Sequence, residues 1–114
     1  MLIYKIFRAE EWDALLEAGQ THGTPDDLAD GFIHFSTAGQ LQETCERHFA
    51  GEDGLVLAMV DSEDFGTRMK WEESRGGALF PHLYHKLRLC DVMWHKPLPL
   101  GPDGRHVLPD GVKG

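Results

Sequence analysis

The sequence predicts one α+β domain, on three observations. Strand-like and helix-like segments alternate only in the first half, as strand, helix, strand, helix, and a run of strand-like segments follows. The chain has 114 residues, enough for one core but not two. No internal repeat and no second composition zone divides it.

Residues 2–7, Leu-Ile-Tyr-Lys-Ile-Phe, are rich in β-formers and read as a strand. Residues 9–18 carry Trp12, Leu15 and Leu16 at helical spacing, acids in the first turn and Gly19 in place for a C-terminal cap. Residues 20–30 hold Gly23, Pro25 and several Asp, a loop composition. Residues 31–36 alternate, with Phe32, His34 and Ser36 on one face and Ile33 and Phe35 on the other. Thr37 and Gln40 have capping-box spacing, so a second helix is expected from there to about Ala50, with Leu41, Cys45, His48 and Phe49 inward and Gly51 as its stop. Residues 55–61 form an unbroken apolar run and read as a buried strand. A turn over 62–68, a strand over 69–72 and a glycine-bearing connector over 74–77 follow. Strands over 78–84 and 87–96 complete the domain. Residues 1–97 are thus expected to be the domain, and residues 98–114, rich in Pro and Gly, a poorly ordered tail.

Composition narrows the function. The formal net charge is −8, with only 11 Lys and Arg, so nucleic acid is not expected as a partner. No apolar run approaches the roughly 20 residues of a membrane helix, and the N-terminus lacks the basic and apolar regions of a leader, so a cytoplasmic location is expected. Cys45 and Cys90 sit among apolar neighbours and read as small core residues. The seven histidines include no H-x-x-x-H, and there is no C-x-x-C, so no metal site is expected. Nucleotide loops of the G-x-G-x-x-G and G-x-x-x-x-G-K-[ST] types are absent.

The polar residues that remain define a candidate site. His34 stands mid-strand just before a helix N-terminus, where an anion or a ribose hydroxyl would be well placed; a core histidine bonded to a carbonyl fits the same pattern. Of Ser36 and Thr37, one suffices to cap the helix, leaving the other for a ligand. His82 and Tyr84 share a face of a segment that follows two glycines, which suits a mobile flap or an ordinary solvated strand. Glu72 is a candidate carboxylate for a ribose or a developing cation, and Arg75 a candidate phosphate fork. Both also read as plain surface charges.

The segments Asp30-Gly31-Phe32-Ile33-His34-Phe35-Ser36 and Gly76-Gly77-Ala78-Leu79-Phe80-Pro81-His82-Leu83-Tyr84, with Arg47-His48, Val60-Asp61 and Trp71-Glu72 between them, resemble a small bacterial family known as domain of unknown function 952. The stretches His34-Phe35-Ser36-Thr37, Arg47-His48, Val60-Asp61 and Ser74-Arg75-Gly76 are also similar to RNA 2′-phosphotransferases of the ADP-ribosyltransferase-like fold. That resemblance implies a compact fold of this type, with two short helices on a split, mainly antiparallel sheet. It also implies NAD as cofactor and a small-molecule nucleotide as ligand. By the resemblance, His34 and Ser36 would lie near the nicotinamide end, and Arg75 and the segment after it near the phosphates. On the enzyme reading, His34, Glu72 and Tyr84 are the candidate catalytic residues, and Ser36, Thr37, Arg75 and His82 the candidate ligand-binding ones. The phosphotransferases' additional N-terminal domain has no counterpart here, and Phe7-Arg8 is a poor match to their early Arg-His pair. An NAD-dependent transferase, a non-catalytic small-molecule binder and a protein-interaction domain all remain open readings.

Overall fold

The computed structural model of the chain describes residues 1–112, apart from the side chain of Arg75. In chain order the elements are β1 (Leu2–Phe7), α1 (Ala9–Ala18), β2 (Gln20–Thr21), α2 (Pro25–Asp30), β3 (Ile33–His34), α3 (Leu41–His48), β4 (Leu55–Asp61), β5 (Met69–Glu73), β6 (Leu79–Leu83), β7 (Leu87–Arg88) and β8 (Trp94–Leu98). Short 3-10 turns lead into α3 and link β4 to β5, β5 to β6, and β7 to β8.

The strands make a split, antiparallel arrangement. One sheet has the order β1-β4-β8 and another β3-β6-β5, while β2 and β7 form a separate pair. Tyr4 and Ser36 exchange two backbone hydrogen bonds of 2.8 Å, which couples the edge of β1 to the residues just after β3. The α+β class and the mainly antiparallel pairing therefore stand as the sequence predicts.

Strands β1 and β4 are buried on both faces, which explains their near-continuous apolar runs. Ile3, Phe7, Ala58 and Val60 point into a cluster with Leu15, Ile33, Phe35, Leu83 and Leu87. Tyr4, Ile6, Leu55, Leu57 and Met59 point into a second cluster with Leu41, Cys45 and Leu98. Each fully buried Leu or Ile here stabilises the fold by roughly 1.5–3 kcal/mol. Lys5 interrupts this pattern: it is 6% exposed in the middle of β1, between Ile3 and Phe7.

Four expectations need correction. Residues 20–30 are not simply loop, because α2 occupies 25–30 and makes a third α-helix. The run over 87–96 is broken: a 3-10 turn over Leu89–Asp91 separates β7 from β8, and the Leu89 N–H donates to the Gly19 carbonyl at 2.9 Å. Cys90 is exposed, in that turn, whereas Cys45 is buried on α3. From residue 98 to 112 the chain packs instead of trailing off. Leu98 is fully buried, Leu108 and Val112 lie against the second cluster, and Nε2 of the buried His106 donates to the Glu52 carbonyl at 2.7 Å. Few apolar residues suffice there, because they complete a core that other strands have already built.

Candidate functional site

A cleft of about 550 Å³ opens between α2, the outer part of β1, the Ser36–Thr44 region and the middle of β6. That size falls within the range of small-molecule sites. Phe35, Phe49 and Phe80 give it apolar wall, and Lys5, Asp27, His34 and His82 are among its polar lining.

Asp27 organises one side. Thr24 stands before Pro25, the first residue of α2, and the Thr24 N–H donates to Oδ2 of Asp27 at 2.9 Å. The same oxygen takes an ion pair from Nζ of Lys5 at 2.9 Å. Oδ1 accepts the His34 backbone N–H at 3.1 Å and faces Nδ1 of His34 at 2.6 Å. Burial pushes the Asp27 carboxyl toward neutrality, but His34, Lys5 and the Thr24 N–H outweigh it and hold the group well below the usual carboxylate range. An ionised carboxylate only accepts, so Nδ1 of His34 is the donor. Nε2 of that ring lies 2.9 Å from Oδ2 of Asp30, the last residue of α2. Gly31 follows in the left-handed region at φ 87°, which ends the helix and turns the chain into β3.

Glu72 organises the other side. His34 and His82 are direct partners across β3 and β6, and their rings meet edge-on at 5.4 Å. Nδ1 of His82 lies 2.8 Å from Oε1 of Glu72, and the Tyr84 hydroxyl donates to the same oxygen at 2.8 Å. These two bonds, His82 first, lower the Glu72 carboxyl below its ordinary value, and Glu72 in turn raises the Tyr84 phenol. The carboxylate fixes the His82 tautomer with its proton on Nδ1. Nε2, in a ring only 5% exposed, is then left as an acceptor, and His82 lines the cleft where Glu72 does not. Phe32 stacks on His82 at 4.1 Å and leans on His34 and Tyr84, which locks both imidazoles in place.

The structure thus brings His34, Ser36 and His82 to the cleft wall. Ser36 is buried and its hydroxyl pairs with that of Thr44 on α3 at 2.9 Å, so it ties β3 to the helix. Glu72 and Tyr84 stand behind His82 and act on the cleft through it. Thr37 does not line the cleft; its N–H donates to Oε1 of Gln40 at 3.0 Å, the capping role. The side chain of Arg75, a candidate phosphate fork, lies outside the described residues. Lys5, Asp27 and Asp30 are functional candidates that the sequence reading passes over. Signals for two of them are present: a lysine inside an apolar strand, and Thr24-Pro25-Asp26-Asp27, which has the cap, the N1 proline and the N3 acid of a helix start. Among the described residues no group of three His, Cys, Asp or Glu is arranged to hold a metal ion, and no helix is long and apolar enough to cross a membrane.

The sequence over residues 6–95 matches the family model "Protein of unknown function (DUF952)". The chain belongs to this family. DUF952 membership covers most of the cleft, since α2, β3, α3, β5 and β6 fall within the match, while Tyr4 and Lys5 of β1 lie just before it. No curated protein matches the chain. Among solved structures, the X-ray crystal structure of protein CC0527 from Caulobacter crescentus is similar over 98% of both chains, at 47% identity and a TM-score of 0.92. The solution NMR structure of CC0527 aligns over 91% of this chain and 90% of that one, at 49% identity and a TM-score of 0.83. The DUF952 fold described above is therefore shared with an experimentally solved protein.

Proposed function

We propose that the cleft binds the ribosyl end of NAD or of an ADP-ribose derivative. The observation that carries this reading is the Glu72–His82 pair, which leaves Nε2 of the buried, cleft-lining His82 as an acceptor. A ribose hydroxyl is a donor of the right kind for that nitrogen. Lys5 supports the reading, because two acceptors, Asp27 and the His34 carbonyl, hold an ammonium group that has three protons to give. The third suits a sugar or carbonyl oxygen. The phenylalanine walls accept the flat face of a base.

In turnover, the bond from the anomeric carbon to its base would break, and the base would leave with the bonding pair. Nε2 of His82 would take the proton of the attacking hydroxyl, with Glu72 steadying the imidazolium that forms. A second reading, binding without turnover, is favoured by one observation: Ser36 and the Nε2 edge of His34 already have partners within the protein.

Titration of the isotopically labelled protein with NAD and with ADP-ribose, followed by NMR, tests the proposal. Saturable shifts are expected in residues 31–37 and 79–84, and a His34→Ala variant should lose them. An unchanged spectrum at millimolar ligand overturns it. Release of free base over time then separates turnover from binding.

A further inference from the structure

The charges that line the cleft are unevenly committed. Among the described side chains, the lining holds two cations, Lys5 and Arg8, and four carboxylates, Glu11, Asp26, Asp27 and Asp30. Both cations are already matched. Lys5 is paired with Asp27, and the Arg8 fork grips both oxygens of Glu52 at 2.8 and 3.0 Å. Asp30 differs from Asp27 in being 55% exposed, and among the described residues its one ion-pair contact is the edge of His34 that Asp27 does not hold. A ligand that approaches Nε2 of His34 therefore meets the Asp30 carboxylate first. Independently of these acids, Nε2 of the buried His82 has no partner among the described residues, and His82 lines the same space, which supports a ligand there.

We propose that Asp30 selects ligands by charge, so that the cleft takes ribosides with a cationic base and no phosphate in preference to their phosphorylated forms. This rests on the ribosyl reading above and ranks the ligands within it, placing the phosphate-bearing NAD and ADP-ribose below an unphosphorylated riboside with a cationic base. A phosphate brought beside His34 stands against Asp30 or must displace it, whereas a pyridinium is drawn toward it.

Nicotinamide riboside and nicotinamide mononucleotide differ only in the 5′-phosphate, so they isolate this effect. Calorimetric titration of the full chain with each, at low salt, should show the riboside bound about tenfold more tightly, the scale of one charge interaction at close range. In Asp30→Asn the ratio should fall toward one, and in Asp30→Glu it should persist. Raising the salt should narrow the gap in the wild type. Equal or tighter binding of the mononucleotide, or a ratio untouched by Asp30→Asn, overturns the role of Asp30 and leaves the ribosyl reading standing. Absence of binding by both probes overturns the ribosyl reading itself.

Discussion

Nδ1 of His82 lies 2.8 Å from Oε1 of Glu72, so a carboxylate on β5 sets the tautomer of an imidazole on β6 that faces the cleft. The first prediction follows from this pair. Long-range nitrogen–proton NMR spectra should show His82 with a protonated Nδ1 and a bare Nε2. Glu72→Gln offers a carboxamide that can donate as well as accept, so the ring should populate both tautomers. Ligand affinity should fall about tenfold, because the charge-assisted bond that holds the ring is lost. An unaltered tautomer with unaltered affinity would count against Glu72 as a positioning residue.

Lys5 and Asp27 are 6% and 1% exposed, and each is the other's charge partner. Removing one leaves an uncompensated charge in the interior. Lys5→Met should therefore destabilise the protein by about 3–5 kcal/mol in urea denaturation, more than an ordinary surface lysine would. The double variant Lys5→Met, Asp27→Asn should recover part of that loss. Two single-variant losses that simply add would contradict the coupling.

Acid should act through the same carboxylate. Asp27 is held well below its ordinary value in the folded protein, while the unfolded chain should titrate near about 3.9. The unfolded state then binds more protons than the folded state in that range. The stabilisation is present above about pH 4 and is lost as pH falls from there toward the folded value. Glu52, Asp61 and Glu72 shift in the same direction but lie near the surface, where screening leaves them a smaller part. Urea melts at pH 7, 5 and 3 should show a steep loss below pH 4 that is much shallower in Asp27→Asn.

The two thiols should differ in reactivity. Burial pushes Cys45 up to about 11, the acid Glu46 adding to the effect, whereas Cys90 is exposed. A thiol reagent at pH 8 should label one cysteine in the folded protein and both in urea. Peptide mapping should place the first label on Cys90.

Truncation after Pro97 should be costly even though it removes a segment poor in apolar residues. Leu98 is fully buried, and Leu108 and Val112 cover the cluster around Tyr4 and Leu41. Loss of these contacts and of the His106–Glu52 bond should lower stability by roughly 3 kcal/mol or more, seen as a fall in Tm.

Much of the fold is legible from local pattern. The run Leu55-Val56-Leu57-Ala58-Met59-Val60 reads as a buried strand because its two faces enter two different clusters, and β4 does this. Thr37 and Gln40 announce the approach to α3 by their capping spacing, and the bond is there. Helix α2 carries its own start signal at Thr24-Pro25, yet only six residues and no apolar face accompany it. Helical periodicity has too little length to register, and the glycines and aspartates around it weigh toward loop.

The site divides along the same line. The alternation of residues 31–36 and 79–84 puts His34 and His82 on faces away from the core, and residue type marks them as groups able to do chemistry. That much is local, because side-chain direction in a strand follows from a period of two. What surrounds those imidazoles is not local. Asp27 reaches His34 because α2 folds back against β3, and Lys5 joins them because β1 lies alongside through the Tyr4–Ser36 bridge. Glu72 reaches His82 through the register of β5 on β6, a pairing that a sequence does not display. The sequence by itself determined the α+β class, most strands and the identity of the two imidazoles. Only the tertiary structure decided which carboxylate holds each one and which nitrogen is left for the cleft, since both depend on contacts between segments distant along the chain.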